Sequence, residues 1–304
     1  MRDRKHRQIR RGTGRIRIIY AEFLVLYSLF VLLDTFVIPR NIVRIFREKG
    51  IFGAKYDPVI TENSYDDGMI SIQIRTERVG VTTVYIADVQ LQDPSLLKTG
   101  LAGDSFGRNL AEVTSGIAER SGAVFAINGD YYGFREKGYV MRGGYLYRDS
   151  SNTRYPYGED LVIREDGSFE IVNEADATAQ ELADSGAREI FSFGPALVNH
   201  GEVQVFAGEE VERAQITNPR TAIGILEPLH YLMVVSDGRT KESRGLSLFE
   251  LAEFMQQQGC DIAYNLDGGG SSTIWFNGRV LNKPTTYGDV IAERTISDIV
   301  YIGY

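Results

Sequence analysis

The chain has 304 residues, of which 43% are hydrophobic and 11% aromatic, which is the composition of a globular protein with one large or two ordinary domains and a substantial core. Charge is unevenly distributed: the first 17 residues, MRDRKHRQIRRGTGRIR, hold eight Arg/Lys against one Asp, a net +7, so a chain of net −8 carries −15 in the remainder. An acidic body argues against general nucleic-acid binding, and a single cysteine, Cys260, excludes an intrachain disulfide.

The basic head, residues 1–17, is followed by IIYAEFLVLYSLFVLLDTFVIP, residues 18–39, which is mainly apolar and about long enough to cross a bilayer as one helix. Its two acids, Glu22 and Asp34, stand near the ends, where a charge costs less than at the centre. Basic residues before the run predict a cytoplasmic N-terminus. No small-residue cleavage pattern follows, so an uncleaved signal anchor is expected, with the body outside the cell membrane. A buried amphipathic helix is the alternative, at odds with eight adjacent cations. Residues 40–57 read as a juxtamembrane stalk and residues 58–304 as the functional domain.

Within that domain, residues 69–91 read as a β-hairpin turning near Arg78–Val81. Residues 108–122 have helical spacing and end in Gly122. A buried strand follows at 123–129. Hairpins are expected at 139–149, around a two-glycine turn, and at 159–172, around Asp166-Gly167. Residues 176–187 read as a helix and 191–203 as strand and turn. Two strands, 220–226 and 229–237, precede an amphipathic helix at 246–259, with Ser247 as N-cap, Glu250 completing a capping box and Gly259 at the C-terminus. Cys260 falls at the helix-to-strand junction, as a small buried residue. A strand at 261–267, a hairpin around Asn277-Gly278 at 272–282 and a strand at 296–304 complete the chain. Many hairpins with few helices predict an α+β fold, a mixed and largely antiparallel sheet with a few packed helices.

Four polar clusters stand just after apolar strands: INGDYYG (127–133), NPRTAIG (218–224), SDGR (236–239) and NLDGGGSST (265–273). Strand ends are common places for sites. The clusters offer the carboxylates of Asp130, Asp237 and Asp267, the guanidiniums of Arg220 and Arg239, the amides of Asn128 and Asn265, and the run Gly268-Gly269-Gly270-Ser271-Ser272-Thr273. Taken singly, Asn-Gly-Asp and Asp-Gly are more often turn formers than catalytic groups, and an isolated Arg220 is more often half of an ion pair. Three consecutive glycines exceed what a turn needs. Their amides suit a concave anion nest, an arginine adds phosphate recognition, and a carboxylate beside them suits a base, a nucleophile or a sugar hydroxyl. Together they suggest a phosphorylated sugar. P-loop, dinucleotide and nucleophile-elbow motifs are absent. His6, His200 and His230 show no zinc spacing. A divalent cation held by Asp130, Asp237 and Asp267 is left open.

In order along the chain, AINGDYYG, NPRTAIG, SDGR…GLSLFELAEFM…GC, YNLDGGGSSTIW and ERTISDIVYIGY resemble the phosphodiester glycosidase family, over roughly residues 80–304. The glycine motif carries most of that specificity. Asn128-Gly129-Asp130 departs from the Asn-Gly-Gly of the family's namesake; the bacterial branch of the family, which the basic head and apolar run also resemble, carries Asp there. The resemblance implies hydrolysis of a sugar-1-phosphodiester between the anomeric carbon and the phosphate oxygen, with a role in envelope or exopolysaccharide chemistry. On that reading Asp267 is the catalytic carboxylate, with Asp130 second. Asn128 and Asn265 bind hydroxyls. Arg220 and the amides of Gly268, Gly269 and Gly270 stabilise the phosphate, and Asp237, Arg239, Ser271, Ser272 and Thr273 line the substrate site. Arg294 is a weaker candidate, expected as an internal ion pair with Glu293 or Asp298. A non-catalytic envelope module that binds phosphorylated polysaccharide and a sugar transferase are the competing readings.

Overall fold

A computed structural model describes residues 23–28, 43–44, 53–152, 158–211, 217–288 and 290–304. The chain divides into two units, residues 1–43 and 44–304. In the first, residues 23–28 are helical and exposed; the remainder of the expected anchor lies outside the described residues. Among the described residues no helix is long and apolar enough to cross a membrane.

Three large antiparallel sheets dominate the described residues of the second unit. The largest has nine strands, and its centre runs from Ile262–Leu266 through Arg220–Glu227, His230–Ser236 and Thr82–Leu91 to Ile70–Val79. A second, of five strands, centres on Phe125–Asn128, between Ile274–Phe276 and Asp298–Ile302. A third, also of five, includes Val140–Arg142, Ala187–Phe191 and Glu159–Arg164. The fold is thus mostly sheet with few helices, as expected, but the ladders of these sheets are all antiparallel where a mixed sheet was expected. Part of the reason lies in the connections: half of the neighbouring strand pairs are consecutive in the chain and joined by short turns, which return it antiparallel.

Strand burial follows from composition. Thr82–Leu91 alternates buried and half-buried residues over much of its length, as a strand with one face on the main core does. Phe125–Asn128, Ile262–Leu266 and Asp298–Ile302 are buried on both faces and read as continuous apolar runs broken by single polar residues. The main core packs Ile127, Phe125 and Val300 against Ile223, Met233, Val235, Tyr264 and Leu266, joining the nine-stranded sheet to the second sheet face to face. On the other face of the large sheet, Leu248–Gln257 buries Leu248, Leu251, Ala252, Phe254 and Met255 against Ala222, Leu232 and Val234. Its capping box is formed as expected, Ser247 accepting from the Glu250 amide at 3.1 Å and Glu250 from the Ser247 amide at 2.8 Å. Cys260 is buried there, and burial pushes its thiol up to about 12.

One helix differs from expectation. It starts at Thr114 rather than residue 108, because Glu112 pairs with Ile296 in a short antiparallel bridge that fixes the preceding residues as extended chain. The register of the sheets then does the positioning. Arg220 stands opposite Ser236, and Thr221 opposite both Val235 and Leu266. Three strands of the large sheet therefore deliver Arg220, Asp237 and Asp267 to the same edge, and Asn128 arrives from the second sheet packed against it.

Candidate active site

Asp267 leaves the end of Ile262–Leu266, and its amide donates to the Gly129 carbonyl at 3.1 Å. Its Oδ2 accepts from the Ser271 hydroxyl at 2.5 Å and from Arg294 Nη2 at 3.4 Å. Arg294 in turn donates to Ser271 Oγ through Nε at 3.1 Å and Nη2 at 2.6 Å, and to the Gly268 carbonyl at 3.2 Å. Arg294, Ser271 and Asp267 thus form one chain of hydrogen bonds. Burial pushes the Asp267 carboxyl above its ordinary range; Arg294, Ser271 and the Gly268 amide pull it back without cancelling the rise, and the nearby charge of Asp130 adds to it. Arg294 was expected as a partner of Glu293 or Asp298, and the structure corrects this. Glu293 accepts from the Ser115 amide at 2.9 Å and hydroxyl at 2.5 Å, and Asp298 belongs to Arg142.

Asp130 is close enough to Asp267 for their charges to interact, yet its situation is opposite. Its Oδ1 accepts from Arg135 Nη2 and the Tyr131 amide, both at 2.6 Å, and its Oδ2 from the Ser192 amide at 3.0 Å, with Arg142 Nη2 at 3.7 Å. Burial alone would raise this carboxyl, but Arg135, Arg142 and the two amides outweigh burial and hold it below the ordinary range. Its side chain is 0% exposed, against 9% for Asp267. Of the two catalytic candidates, Asp267 is the less enclosed, and Asp130 is sealed among partners that favour its charged form. Behind Asp130, Arg142 is wholly buried, bonding Asp298 through Nε at 2.7 Å and lying 4.0 Å over the Phe191 ring. Asp298 also receives the Asp130 amide at 2.7 Å, and burial pushes its carboxyl up to about 6 against the pull of Arg142.

The glycine run answers to packing more than to an open nest. A Cβ on Gly269 would come 2.8 Å from Arg239 Nη2, one on Gly268 3.0 Å from the Pro219 carbonyl, and one on Gly270 would overlap the Thr286 side chain. Gly269, with φ at +63°, donates its amide to that same Pro219 carbonyl at 2.8 Å. The Ser271 and Ser272 amides close the turn on the Gly268 and Gly269 carbonyls. Three parallel free amides, as the sequence suggested, are therefore not present, because close approach to Pro219, Arg239 and Thr286 uses the glycines instead.

Other expected contacts are also committed elsewhere. Asn128, fully buried, donates to the Asp267 carbonyl at 2.6 Å and accepts from the Thr221 hydroxyl at 2.7 Å and the Thr273 amide at 3.1 Å. It braces the Asp267 turn rather than facing a ligand. Asn265 donates to the Gly194 carbonyl at 2.8 Å, with its buried Oδ1 unpartnered. Arg220, expected to clamp phosphate, is buried, ion-paired to Glu210, and bonded to the Leu246 carbonyl at 3.0 Å. Ser272 and Thr273 are fully buried, with unpartnered hydroxyls. Asp237 accepts from the Lys283 amide at 2.8 Å and the Tyr85 hydroxyl at 3.4 Å.

Arg239 is different. It sits with φ at +58° and donates to Asn218 Oδ1 at 3.0 and 3.1 Å and to the Thr286 carbonyl at 2.9 Å, with no carboxylate partner among the described residues. Burial, then the charges of Arg294 and Arg220, lower its proton affinity. Arg239 thus lies against Gly269 within reach of the charges of Arg294 and Arg220, which already carry the carboxylates of Asp267 and Glu210. As for a metal, no group of three or more His, Cys, Asp or Glu side chains among the described residues is arranged to hold one. Asp130 and Asp237 spend their oxygens on the partners given above, so the set of Asp130, Asp237 and Asp267 does not fit a cation.

The sequence pattern missed Arg135, Arg142 and Asp298 as parts of the site and undervalued Arg294. The usable signal was position: Arg135 stands two residues after INGDYYG, and Arg294 and Asp298 lie within ERTISDIVYIGY.

The model of the family described as phosphodiester glycosidase matches residues 121–303. The chain is 30% identical, over 66% of its length and 31% of the relative's, to a Bacillus subtilis SPbeta prophage-derived uncharacterized protein. It is 29% identical, over 64% of its length and 39% of the relative's, to mouse N-acetylglucosamine-1-phosphodiester alpha-N-acetylglucosaminidase. It therefore spans well under half of the curated relatives it matches. The fold is similar to that of the zebrafish N-acetylglucosamine-1-phosphodiester alpha-N-acetylglucosaminidase catalytic domain, auto-inhibited by its pro-peptide, with a TM-score of 0.57 and 22% identity over 77% of this chain and 83% of that one. A hypothetical protein from Synechocystis is similar at a TM-score of 0.55 and 15% identity, covering 77% of this chain and 62% of that one.

Proposed function

Because the chain belongs to the phosphodiester glycosidase family, we propose that it hydrolyses a sugar-1-phosphodiester, of the GlcNAc-1-phosphodiester type, at the bond between the anomeric carbon and the phosphate oxygen. The observation that carries this reading is the pairing of a carboxylate at the buried edge, Asp267, with Arg294, beside Arg239, which has no carboxylate partner among the described residues. In the step, the C1–O bond breaks and its electron pair goes to the phosphate oxygen. A water oxygen ends on C1, and the water's proton passes through a carboxylate to solvent. The departing phosphomonoester has a second pKa of about 6, so it needs little protonation; it needs charge stabilisation. Arg294 and Arg239 supply that charge, in place of Arg220, which is occupied by Glu210. Asp267 acts on the opposite side of C1, as nucleophile or as base toward water; a raised proton affinity strengthens it as a base, while Arg294 and Ser271 favour the ionised form that either role requires. Asp130, held ionised by Arg135 and Arg142, favours the positive charge that develops on the sugar ring. Tyr131 and Phe134, both partly exposed and stacked with centroids 5.1 Å apart beside Asp130, offer the sugar ring an apolar face.

The basic head and the apolar run of residues 18–39 support a membrane-tethered protein with its body outside the cell, acting on envelope or exopolysaccharide glycans. Hydrolysis in ¹⁸O-water tests the chemistry. Label recovered in the free sugar supports C–O cleavage; label in the phosphate makes the protein a phosphodiesterase of another kind; and sugar joined to an acceptor makes it a transferase. No product from a panel of sugar-1-phosphodiesters would favour the non-catalytic binding module.

A further inference from the structure

Arg294 reaches Asp267 from a short piece of chain that is fastened on both sides. Before it, Glu293 clamps the start of the helix Thr114–Ser121, its Oε1 accepting from the Ser115 amide at 2.9 Å and its Oε2 from the Ser115 hydroxyl at 2.5 Å. After it, Ile296 and Glu112 exchange both backbone hydrogen bonds, at 2.8 and 3.0 Å. The helix buries Ile117 and Ala118 in one cluster with Ile296 and Ile299, so the base of this clamp is packed core. The cap is costly in sequence terms. The helix has Val113 at its N-cap, with no side-chain acceptor, where an Asp or Ser would serve from the adjacent position. The acceptor comes instead from 178 positions along the chain, in the residue next to Arg294. Arg294 itself is 38% exposed and lies 3.4 Å from Asp267 Oδ2. A half-exposed arginine has many rotamers to lose. Whether its guanidinium rests on Ser271 and the Gly268 carbonyl therefore depends on where its backbone is held.

Resting on the reading of the site as a phosphodiester glycosidase, we propose that Glu293 is a positioning residue: its clamp on Ser115 holds the backbone at Arg294 so that the guanidinium meets Ser271 and Asp267. The bonds of Glu293 go to Ser115 and not to the glycine turn, so it acts through Arg294. The consequence falls on Asp267. Burial raises the proton affinity of that carboxyl, and Arg294 is the strongest influence opposing the rise, ahead of Ser271 and the Gly268 amide. Asp130 is the nearby like charge, held by Arg135 and Arg142, which the clamp does not touch. Loosening the clamp weakens the hold of Arg294 and leaves those other charges in place. The proton affinity of Asp267 then rises, and less of it is ionised near neutral pH.

The test compares the full wild-type chain with Glu293→Ala, Ser115→Ala, Glu293→Gln, Arg294→Ala and the Glu293→Ala, Arg294→Ala pair. The ¹³C carboxyl resonance of Asp267, assigned by its loss in Asp267→Asn, follows its titration with no substrate present. Glu293→Ala should move that titration to higher pH, in the same direction as Arg294→Ala and by less. Ser115→Ala cuts the clamp from the other side and should move it the same way. Glu293→Gln keeps the clamp, its carbonyl accepting from the Ser115 amide and its NH₂ donating to the Ser115 oxygen, so it should titrate like wild type and separates position from lost charge. Added to Arg294→Ala, Glu293→Ala should produce no further shift. With a synthetic GlcNAc-1-phosphodiester, Glu293→Ala should lower kcat about tenfold, short of the roughly 10²-fold cost of a 1 Å misplacement. An Asp267 titration unmoved in Glu293→Ala, or moved equally in the Arg294→Ala background, would overturn the proposal, as would Glu293→Gln behaving like Glu293→Ala. If the titrations move as expected and wild type releases no sugar, the clamp stands and the glycosidase reading falls. If wild type turns over and Glu293→Ala matches it in both kcat and titration, the clamp falls and the glycosidase reading stands.

Discussion

Substituting Asn128 distinguishes bracing from substrate contact. Its side chain satisfies three buried partners: the Asp267 carbonyl, the Thr221 hydroxyl and the Thr273 amide. Asn128→Ala leaves all three without a partner in a fully buried place. Each orphaned group costs about 1–3 kcal/mol, so the three together cost about 3–6 kcal/mol, with partial relaxation keeping the total below the simple upper limit. Against a typical total stability of about 5–15 kcal/mol, that is a large fraction. Urea denaturation at 25 °C measures it, as a lower midpoint with an unchanged slope. Asn128→Asp sets a buried carboxylate against the Asp267 carbonyl in place of the donated bond, so near pH 7 it should destabilise at least as much as Asn128→Ala. A stability loss under about 1 kcal/mol, accompanied by a large rise in KM, would refute the reasoning. Asn128 would then face the sugar, as its position in the sequence motif first suggests.

Three further outcomes follow from the same geometry. Arg220→Ala leaves Glu210 as a buried-edge charge without its partner, so it should destabilise the fold by about 3–5 kcal/mol; the Arg220→Ala, Glu210→Ala pair should recover part of that loss in thermal melts. Arg294→Ala should cut kcat by about 10²-fold or more through the lost charge beside Asp267 while leaving the melting temperature within a few degrees, since the side chain is 38% exposed; steady-state kinetics and melts on one preparation check both. Glu189 is buried, accepts from Thr99 at 2.8 Å and the Gly143 amide at 3.0 Å, and burial pushes its carboxyl up to about 7. A raised carboxyl binds its proton more tightly folded than unfolded, so its stabilising share is complete below the unfolded pKa near 4.5 and is lost as pH rises through about 7. Glu189→Gln should therefore match wild type near pH 5 and exceed it near pH 8, and a melting difference that stays flat between those pH values would contradict this.

Local structure was legible where a few neighbouring residues decide it. The turns at Gly143-Gly144, Asp166-Gly167 and Asn277-Gly278 all fall where the motif places them, with those glycines at positive φ. Ser247 and Glu250 cap their helix because three residues suffice to close the box. Long-range matters were not legible. The helix at 114 starts late because Ile296, far along the chain, claims Glu112. In the site, the Asp267 turn was identifiable from its glycines, and Arg239, also marked in the sequence, lies against that turn. What a carboxylate or guanidinium is free to do depends on who holds it. Glu210 takes Arg220, Arg135 and Arg142 take Asp130, and Arg294 takes Asp267. None of those pairings has a local signature, so the division into braces and reacting groups emerged only from the packed structure.

The measurement that bears most directly on the account is product NMR on the wild-type chain and on Asp267→Asn, each incubated with UDP-GlcNAc and a synthetic GlcNAc-1-phosphodiester. The account predicts free GlcNAc from wild type, a rate lower by several orders of magnitude from Asp267→Asn, and the same melting curve for both within a few degrees. Wild-type turnover that survives intact in Asp267→Asn would contradict it.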